Sequence, residues 1–455
     1  MKRAALVFSM VLGACMPASN DDVTTRQNSS VYSDFVTNPF PVSPSRKVTA
    51  SNKDIARDFM DLSFSLESGR NLPVFTRFEG PISVRLTGKV PQSLPSELNR
   101  LIHRLQDEAK LDIYYTSAEQ ANVNVHAVSR RQIQRTLPMA ACFVAPNVVD
   151  LEDFKASRKT AKTSWSAQTE RRMVSLFIPS DASPQEIRDC LHEEFAQGLG
   201  PLNDLYRLPN SVFNDDNIHT ILTDFDMMVL RATYAPELRS GMTRAEVVAR
   251  LPAILRRINP AGEGVAYRAL PPTSRAWIKE IQTALRPGTP AGDRMGAATR
   301  ALNLAQAAKY NDHRLGFSYF AMGRIVQRAN PDEAFRMFKA ADKMFRQSTQ
   351  TNLYAAHTAV QLASYQIAYR KGQEALVTLA PYFLDAAYKE ENAALLSTSM
   401  FLRAEALELT GRASEARIVR LDSLNWARYG FGSEKHLKTK LREIQALNPL
   451  NRRNG

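Results

Sequence analysis

What the chain lacks narrows its reading before any motif does. None of its 455 residues fall in an apolar run of about 18 or more, which excludes a polytopic helical membrane domain. No G-x-S-x-G elbow, phosphate-cradling G-x-x-x-x-G-K-[ST] loop, G-x-G-x-x-G turn or C-x-x-C pair occurs. Standard hydrolase-elbow, nucleotide and thiol-redox chemistry therefore lack their motifs. Basic and aromatic residues do not interleave, so nothing marks a nucleic-acid surface. Cysteine is scarce, at positions 15, 142 and 190 only. What is present is ordinary globular composition, 44% hydrophobic and 23% charged, which excludes wholesale disorder and at this length points to two or three domains. Lys and Arg outnumber Asp and Glu, 59 to 46, for a net charge of +13. Such a surface suits anionic membranes, polyanionic envelope polymers or acidic proteins, and charge alone does not choose among them.

The N-terminus sets an expected compartment. Met1-Lys2-Arg3 is a short cationic region, and Ala4 to Leu12 is an apolar core too short to span a bilayer, the pattern of a secretory signal over residues 1–14. It ends in Leu12-Gly13-Ala14-Cys15, which resembles the bacterial lipobox, where cleavage precedes a cysteine that then carries lipid. Cys15 is accordingly the expected lipidation site, with several acyl chains giving stable anchoring; the other reading is an ordinary cleaved signal with an incidental cysteine. Met16 follows in place of Asp, which in enteric-type sorting points to the outer rather than the inner membrane, with the protein facing the periplasm. Cys142 and Cys190 then form an even pair in a disulfide-permissive compartment and are expected to be bonded, the alternative being two buried free thiols.

Residues 15–51 are rich in Ser, Thr, Asn, Asp and Pro and read as a flexible tether. From 52 to 286 helical and strand signals alternate. Helical spacing covers 54–66, and strand-like alternation covers 74–78 and 82–86 about Gly80-Pro81. A helix over 96–111 is expected with Ser96 as its N-cap, and short strands follow at 111–115, 123–128, 142–149 and 174–178. Ser183-Pro184-Gln185-Glu186 places a cap, a proline at the first helical position and an acid at the third, so a helix starts there and runs to Gly198 or Gly200. The region reads as α+β with a mixed sheet. Residues 287–292 are a Pro- and Gly-rich linker, and 293–455 are helical throughout. In that last part Glu-Ala pairs recur at 41-residue spacing, at 333, 374 and 415, each opening a helix. Small residues at Gly323, Ala363 and Ala404 sit on the helix upstream. The pattern resembles divergent tetratricopeptide repeats, stacked helix pairs that hold a partner, the alternative being a generic helical bundle.

The chemistry, if any, rests on Cys190 to Asp204. A zinc peptidase of the H-E-x-x-H type needs two ligands one turn apart on a helix with a glutamate between them as base. His192-Glu193 begins that motif, but position 196 is alanine. Shifted by one, Glu193-Glu194-x-x-Gln197-x-x-Gly200 overlays H-E-x-x-H-x-x-G, with Glu194 as the base, Gly200 making the returning turn and Asn203 or Asp204 at the third-ligand position. In this reading the metal candidates are Glu193, Gln197, Asp204 and His192, while His219 joins only through the fold. Carboxylate and amide oxygens suit calcium or magnesium better than zinc, so the metal, whether zinc or calcium, stays open. Asn214-Asp215-Asp216-Asn217 lacks the spacing of a calcium loop and reads as an Asx turn.

The E-E-x-x-Q-x-L-G, N-D, S-V-F-N-D, D-F-D and L-R-x-x-Y-x-P-x-L-R-x-G-M segments between Cys190 and Met242 carry a family resemblance. Over about Asp54 to Val247 the chain resembles the domain of unknown function 2927 family, secreted or lipid-anchored bacterial proteins related to the zincin peptidases. The resemblance implies a zincin-like α+β fold and an envelope location, with no established activity. It places Glu193, Glu194, Gln197 and Asp204 on the former active-site face. The combined expectation is a periplasm-facing lipoprotein: a degenerate, non-catalytic zincin-like domain followed by tetratricopeptide-like repeats that bind an envelope protein or peptide. The alternative is an active metal-dependent peptidase or hydrolase.

Overall fold

The computed structural model describes residues 37–41, 48 and 50–451. The expected signal sequence, the expected lipidation site Cys15 and most of the expected tether lie outside the described residues. The described residues fall into two compact units, one within Pro41–Leu270 and a helical unit formed by residues 271–451 together with 37–40. No described helix is long and apolar enough to cross a membrane.

The first unit is α+β. Its strands are β1 (Ile82–Gly88), β2 (Ile113–Tyr115), β3 (Val123–Val128), β4 (Phe143–Pro146) and β5 (Val174–Pro179). They form one mixed sheet in the order β2-β1-β3-β5-β4, parallel except for β4, which runs antiparallel along the β5 edge with Val144 opposite Leu176. Every residue of β5 is buried, as expected of a strand covered on both faces. The helices are α1 (Asn52–Ser63), α2 (Ser93–Asp107), α3 (Arg130–Thr136), α4 (Leu151–Ser157), α5 (Pro184–Leu199), α6 (Asp224–Thr233) and α7 (Arg244–Ile258).

Several local expectations are corrected. The alternating stretch 74–78 does not join the sheet: Phe75 and Phe78 are buried, but the backbone pairs with another loop, Phe75 N–H donating to the Met242 carbonyl at 2.8 Å and Gly241 N–H to that of Phe75 at 2.9 Å. Alternation records which side chains are buried, and a loop strapped to a second loop satisfies it as well as a strand does. α2 starts one turn before Ser96, whose hydroxyl donates to the Ser93 carbonyl instead of capping.

The helical unit comprises α8 (Arg275–Leu285), α9 (Ala291–Ala307), α10 (His313–Val326), α11 (Pro331–Phe345), α12 (Asn352–Ala368), α13 (Gly372–Thr378), α14 (Pro381–Lys389), α15 (Ala393–Leu409), α16 (Ala413–Phe431) and α17 (Glu434–Gln445). α8 belongs here although it precedes the Pro/Gly-rich stretch, because Trp277 is fully buried, its indole N–H donating to Ser318 Oγ at 2.9 Å. The Glu-Ala pairs do open helices, in α11, α13 and α16. Small residues set the approach of paired helices: a Cβ on Gly323 would stand 2.7 Å from the Phe338 ring, and one on Gly430 would stand 2.6 Å from the Ala394 backbone nitrogen. The helix opened by Glu374-Ala375 is broken, since Pro381 cannot donate the i to i−4 hydrogen bond and starts a new helix. Within the stretch read as tether, Phe40 is 3% exposed and packs in the helical unit.

Candidate functional site

α5 carries the residues singled out from sequence, and its ends are fixed by identifiable groups. Ser183 Oγ accepts from the Glu186 N–H at 3.2 Å, and Pro184 occupies the first turn, as its sequence signature requires. Ile187, Leu191, Phe195 and Leu199 recur every fourth residue and are buried in the core. At the far end buried Arg171 donates through Nη1 to the carbonyls of Gln197 and Gly198, both at 2.6 Å, and through Nη2 to that of Gly200. The Tyr234 hydroxyl donates to the Leu199 carbonyl at 2.8 Å. The carbonyls that a helix C-terminus leaves unpaired are thus met by a cation and a phenol, which also answer the dipole. Burial draws the Arg171 guanidinium down to about 10. Gly200 is extended (φ −176°) rather than left-handed; glycine is needed there because a Cβ would stand 2.9 Å from Thr233 Cγ2.

Cys142 and Cys190 are disulfide-bonded, their Cα atoms 5.9 Å apart, so the segment entering β4 is joined to α5 one turn before Glu194. On the same seam the Val144 N–H, in β4, donates to the Glu194 carboxyl.

The loop from residue 200 to 223 brings the remaining groups to this helix, held by ionic and capping contacts. Buried Arg207 reaches Asp58 at 2.7 Å and Asp61 at 2.8 Å, and Asn203 Nδ2 donates to the Asp61 carbonyl at 2.9 Å, so the loop is tied to α1. Asp226, in the first turn of α6, accepts from Ser211 Oγ and from the backbone N–H groups of Val212 and Thr223. The S-V-F-N-D and D-F-D segments read from sequence are therefore two halves of one fastening.

The outcome is a group of carboxyls held close together. Glu193 is pushed up to about 8, first by burial and then by the charges of Asp215, Glu67 and Asp189. Burial, with Glu193 and Glu67, raises Glu194 well above the carboxylate range, against the Val144 N–H. Asp204 is likewise raised by burial, then by Glu67, Glu193 and Asp215; it hydrogen-bonds Glu67, and its Oδ1 is buried without a partner. Glu67 belongs to an exposed turn, but desolvation of its carboxyl and the charge of Asp215 raise it too. Two hydrogen-bonded carboxyls share a proton, and the pair titrates as a unit. Tyr206 Oη donates to Asp215 Oδ2 at 3.0 Å. Asp189, beside Arg188 at 2.6 Å, is pushed up to about 6, mainly by burial.

The sequence-derived candidates divide accordingly. Glu193, Glu194 and Asp204 come together. Gln197 is half-buried one turn beyond Glu193, its carbonyl engaged by Arg171. His192 points elsewhere: it is buried, its Nδ1 accepts from the Leu222 N–H at 3.0 Å, and burial with Arg104, Arg188 and Arg100 nearby drives it well below its ordinary range. His219 is buried in the 200–223 loop. Asp216 closes an Asx turn, accepting from the Ile218 N–H at 3.0 Å. Sequence reasoning missed Glu67, Asp189 and Arg171, and read Asp215 only as part of a turn. Among the described residues no three His, Cys, Asp or Glu side chains converge in a way that would hold a metal ion.

No curated protein and no solved structure matches the chain. Residues 52–253 match the model of the family described as Protein of unknown function (DUF2927), and it is the α+β unit, with its group of carboxyls, that this family match covers.

Proposed function

We propose that this protein is a lipid-anchored, periplasm-facing binding protein of the bacterial envelope, with a zincin-like domain that no longer performs metal catalysis and a tetratricopeptide-like module that holds an envelope protein or peptide. The observation that carries the non-catalytic part is the company Glu193 keeps. At the position of a first zinc ligand its carboxyl is raised first by burial and then by the charges of Asp215, Glu67 and Asp189, and the second ligand position is Gln197. Zinc, which a zincin-like fold implies, does not fit this donor set: there is no imidazole pair, and His192 is spent on the Leu222 N–H. Glu194, in the general-base position, is raised well above the carboxylate range, first by burial and then by Glu193 and Glu67.

Support for a zincin-like ancestry comes from the mixed sheet, whose antiparallel edge strand β4 meets the helix that follows β5 through Val144 and through the disulfide at Cys142 just before the strand. Support for a binding module comes from the successive helix pairs α10/α11, α12/α13 and α15/α16, of which the first and last pack through small residues. Affinity purification from envelope extracts tests the proposal. A specific envelope partner is expected to co-purify with wild type and with Glu194→Gln alike, and to be lost on substitution of the helical unit. Loss of function in Glu194→Gln with partner binding intact would overturn it in favour of a hydrolase.

A further inference from the structure

Asn38-Pro39-Phe40-Pro41 lies in the Ser-, Thr-, Asn- and Pro-rich stretch that precedes α1. Proline at 39 and again at 41 drives the residue before each toward extended backbone, so the segment is stiff before it binds anything. Asn38 Oδ1 accepts the Phe40 N–H at 3.0 Å, which satisfies the donor that burial of Phe40 would strand. The ring of Phe40 lies 4.8 Å from Trp426 and 5.6 Å from Tyr388, both tilted, and meets Tyr429 edge-on at 6.5 Å. Tyr388 and Trp426 are themselves edge to face at 5.7 Å, so α14 and α16 hold one another's aromatics in place around the seat. Tilted and edge-on rings at these spacings are the favoured arrangement of aromatic pairs. Tyr388 is 38% exposed, and further along α16 Ile418 and Leu421 are 59% and 62% exposed, apolar surface beyond what a single phenylalanine covers.

We infer that the Tyr388, Trp426 and Tyr429 seat is a recognition site for a phenylalanine carried in a proline-flanked extended segment, which this chain's own Asn38-Pro39-Phe40 fills in cis and which a partner segment of the same chemistry must displace. This rests on reading the helical unit as a partner-binding module and specifies what it binds. The resident segment is covalently attached, so its effective concentration is high and an incoming peptide binds the wild type weakly. Removing the resident ring opens the seat.

The test uses a fluorescent peptide with the sequence of residues 36–44 and a control carrying alanine in place of its phenylalanine, titrated against the full protein. Phe40→Ala is expected to bind the peptide at least tenfold more tightly than wild type and not to bind the control. Adding Trp426→Ala or, separately, the more exposed Tyr388→Ala to Phe40→Ala is expected to weaken binding at least tenfold, with circular dichroism reporting that each variant keeps its helices. Equal binding of peptide and control, no gain in Phe40→Ala, or no loss in folded Tyr388→Ala would overturn the inference. Co-purification of an envelope partner reads the broader function, so peptide binding that fails while a partner still co-purifies refutes the seat alone.

Discussion

The two units bury their sequences by different means. In the helical unit the interfaces are close contacts of small residues and rings, as where Gly323 admits Phe338 and Gly430 meets the Ala394 backbone. In the α+β unit the core beneath α5 is equally apolar, but the face around Glu193 holds carboxyls whose charges oppose one another, fastened by Arg171, Arg207, Asp226 and a disulfide. The difference teaches that the first unit holds its acidic face against an electrostatic cost, whereas in the second a fully buried carboxyl, Glu405, is met by Arg420 and Asn448.

Removing the disulfide probes the contrast hardest. Cys142→Ala/Cys190→Ala opens a 48-residue separation, and the chain-entropy relation puts the loss at about 4 kcal/mol. In calorimetry the α+β transition is expected to fall by more than Gly430→Ala or Glu193→Gln would shift either unit, while the helical transition stays in place. Movement of both would show that the units do not unfold separately. A smaller loss is expected in the other unit from Gly430→Ala, where the obstructing atoms are backbone and cannot rotate away. Overpacking there should cost about 2 kcal/mol and lower only the helical transition.

The smallest and most diagnostic effect concerns pH. Glu193 has a folded-state value of about 8 against an ordinary 4.5, so between those limits the folded state holds more protons than the unfolded one. Stability contributed by the protonated carboxyl is complete below the lower value and is lost as pH rises toward the upper one. The α+β unit should therefore melt at lower temperature at pH 8 than at pH 5. Glu193→Gln should flatten that slope and gain on the order of 1 kcal/mol at pH 8 with little change at pH 5. Glu194 and Asp204 retain part of the slope, since burial raises both. A variant that is less stable than wild type at pH 8 would mean that the Glu193 carboxylate has a cationic partner.

Much of this was legible in the chain itself where the signal is local. The start of α5 follows from Ser183, Pro184 and Glu186, and the helical character of the last part follows from its composition and 41-residue recurrence. The pairing of Cys142 with Cys190 followed from counting cysteines. Non-local features were not legible. Strand order β2-β1-β3-β5-β4 depends on contacts far apart in sequence, and the 74–78 segment mimics a strand because Phe75 and Phe78 are buried while its backbone pairs elsewhere. Glu193 and Glu194 were visible as a spacing on one helix, and Asp204 as a position in the loop after it. Glu67 came from an exposed turn more than a hundred residues upstream, where nothing in composition sets it apart, and Arg171 reads from sequence as an ordinary surface charge. His192 shows the reverse error, since a motif-like neighbour of Glu193 lies on another side of the helix and serves the Leu222 backbone.

Metal content tests the central claim most directly. The protein would be purified without chelator, wild type beside Glu193→Ala/Glu194→Gln, and its transition metals, calcium and magnesium measured by mass spectrometry. The account predicts well below one equivalent of any metal in a folded wild type, with no difference in the double variant. Near-stoichiometric metal in wild type that disappears in the variant would contradict it and restore the metal-dependent hydrolase.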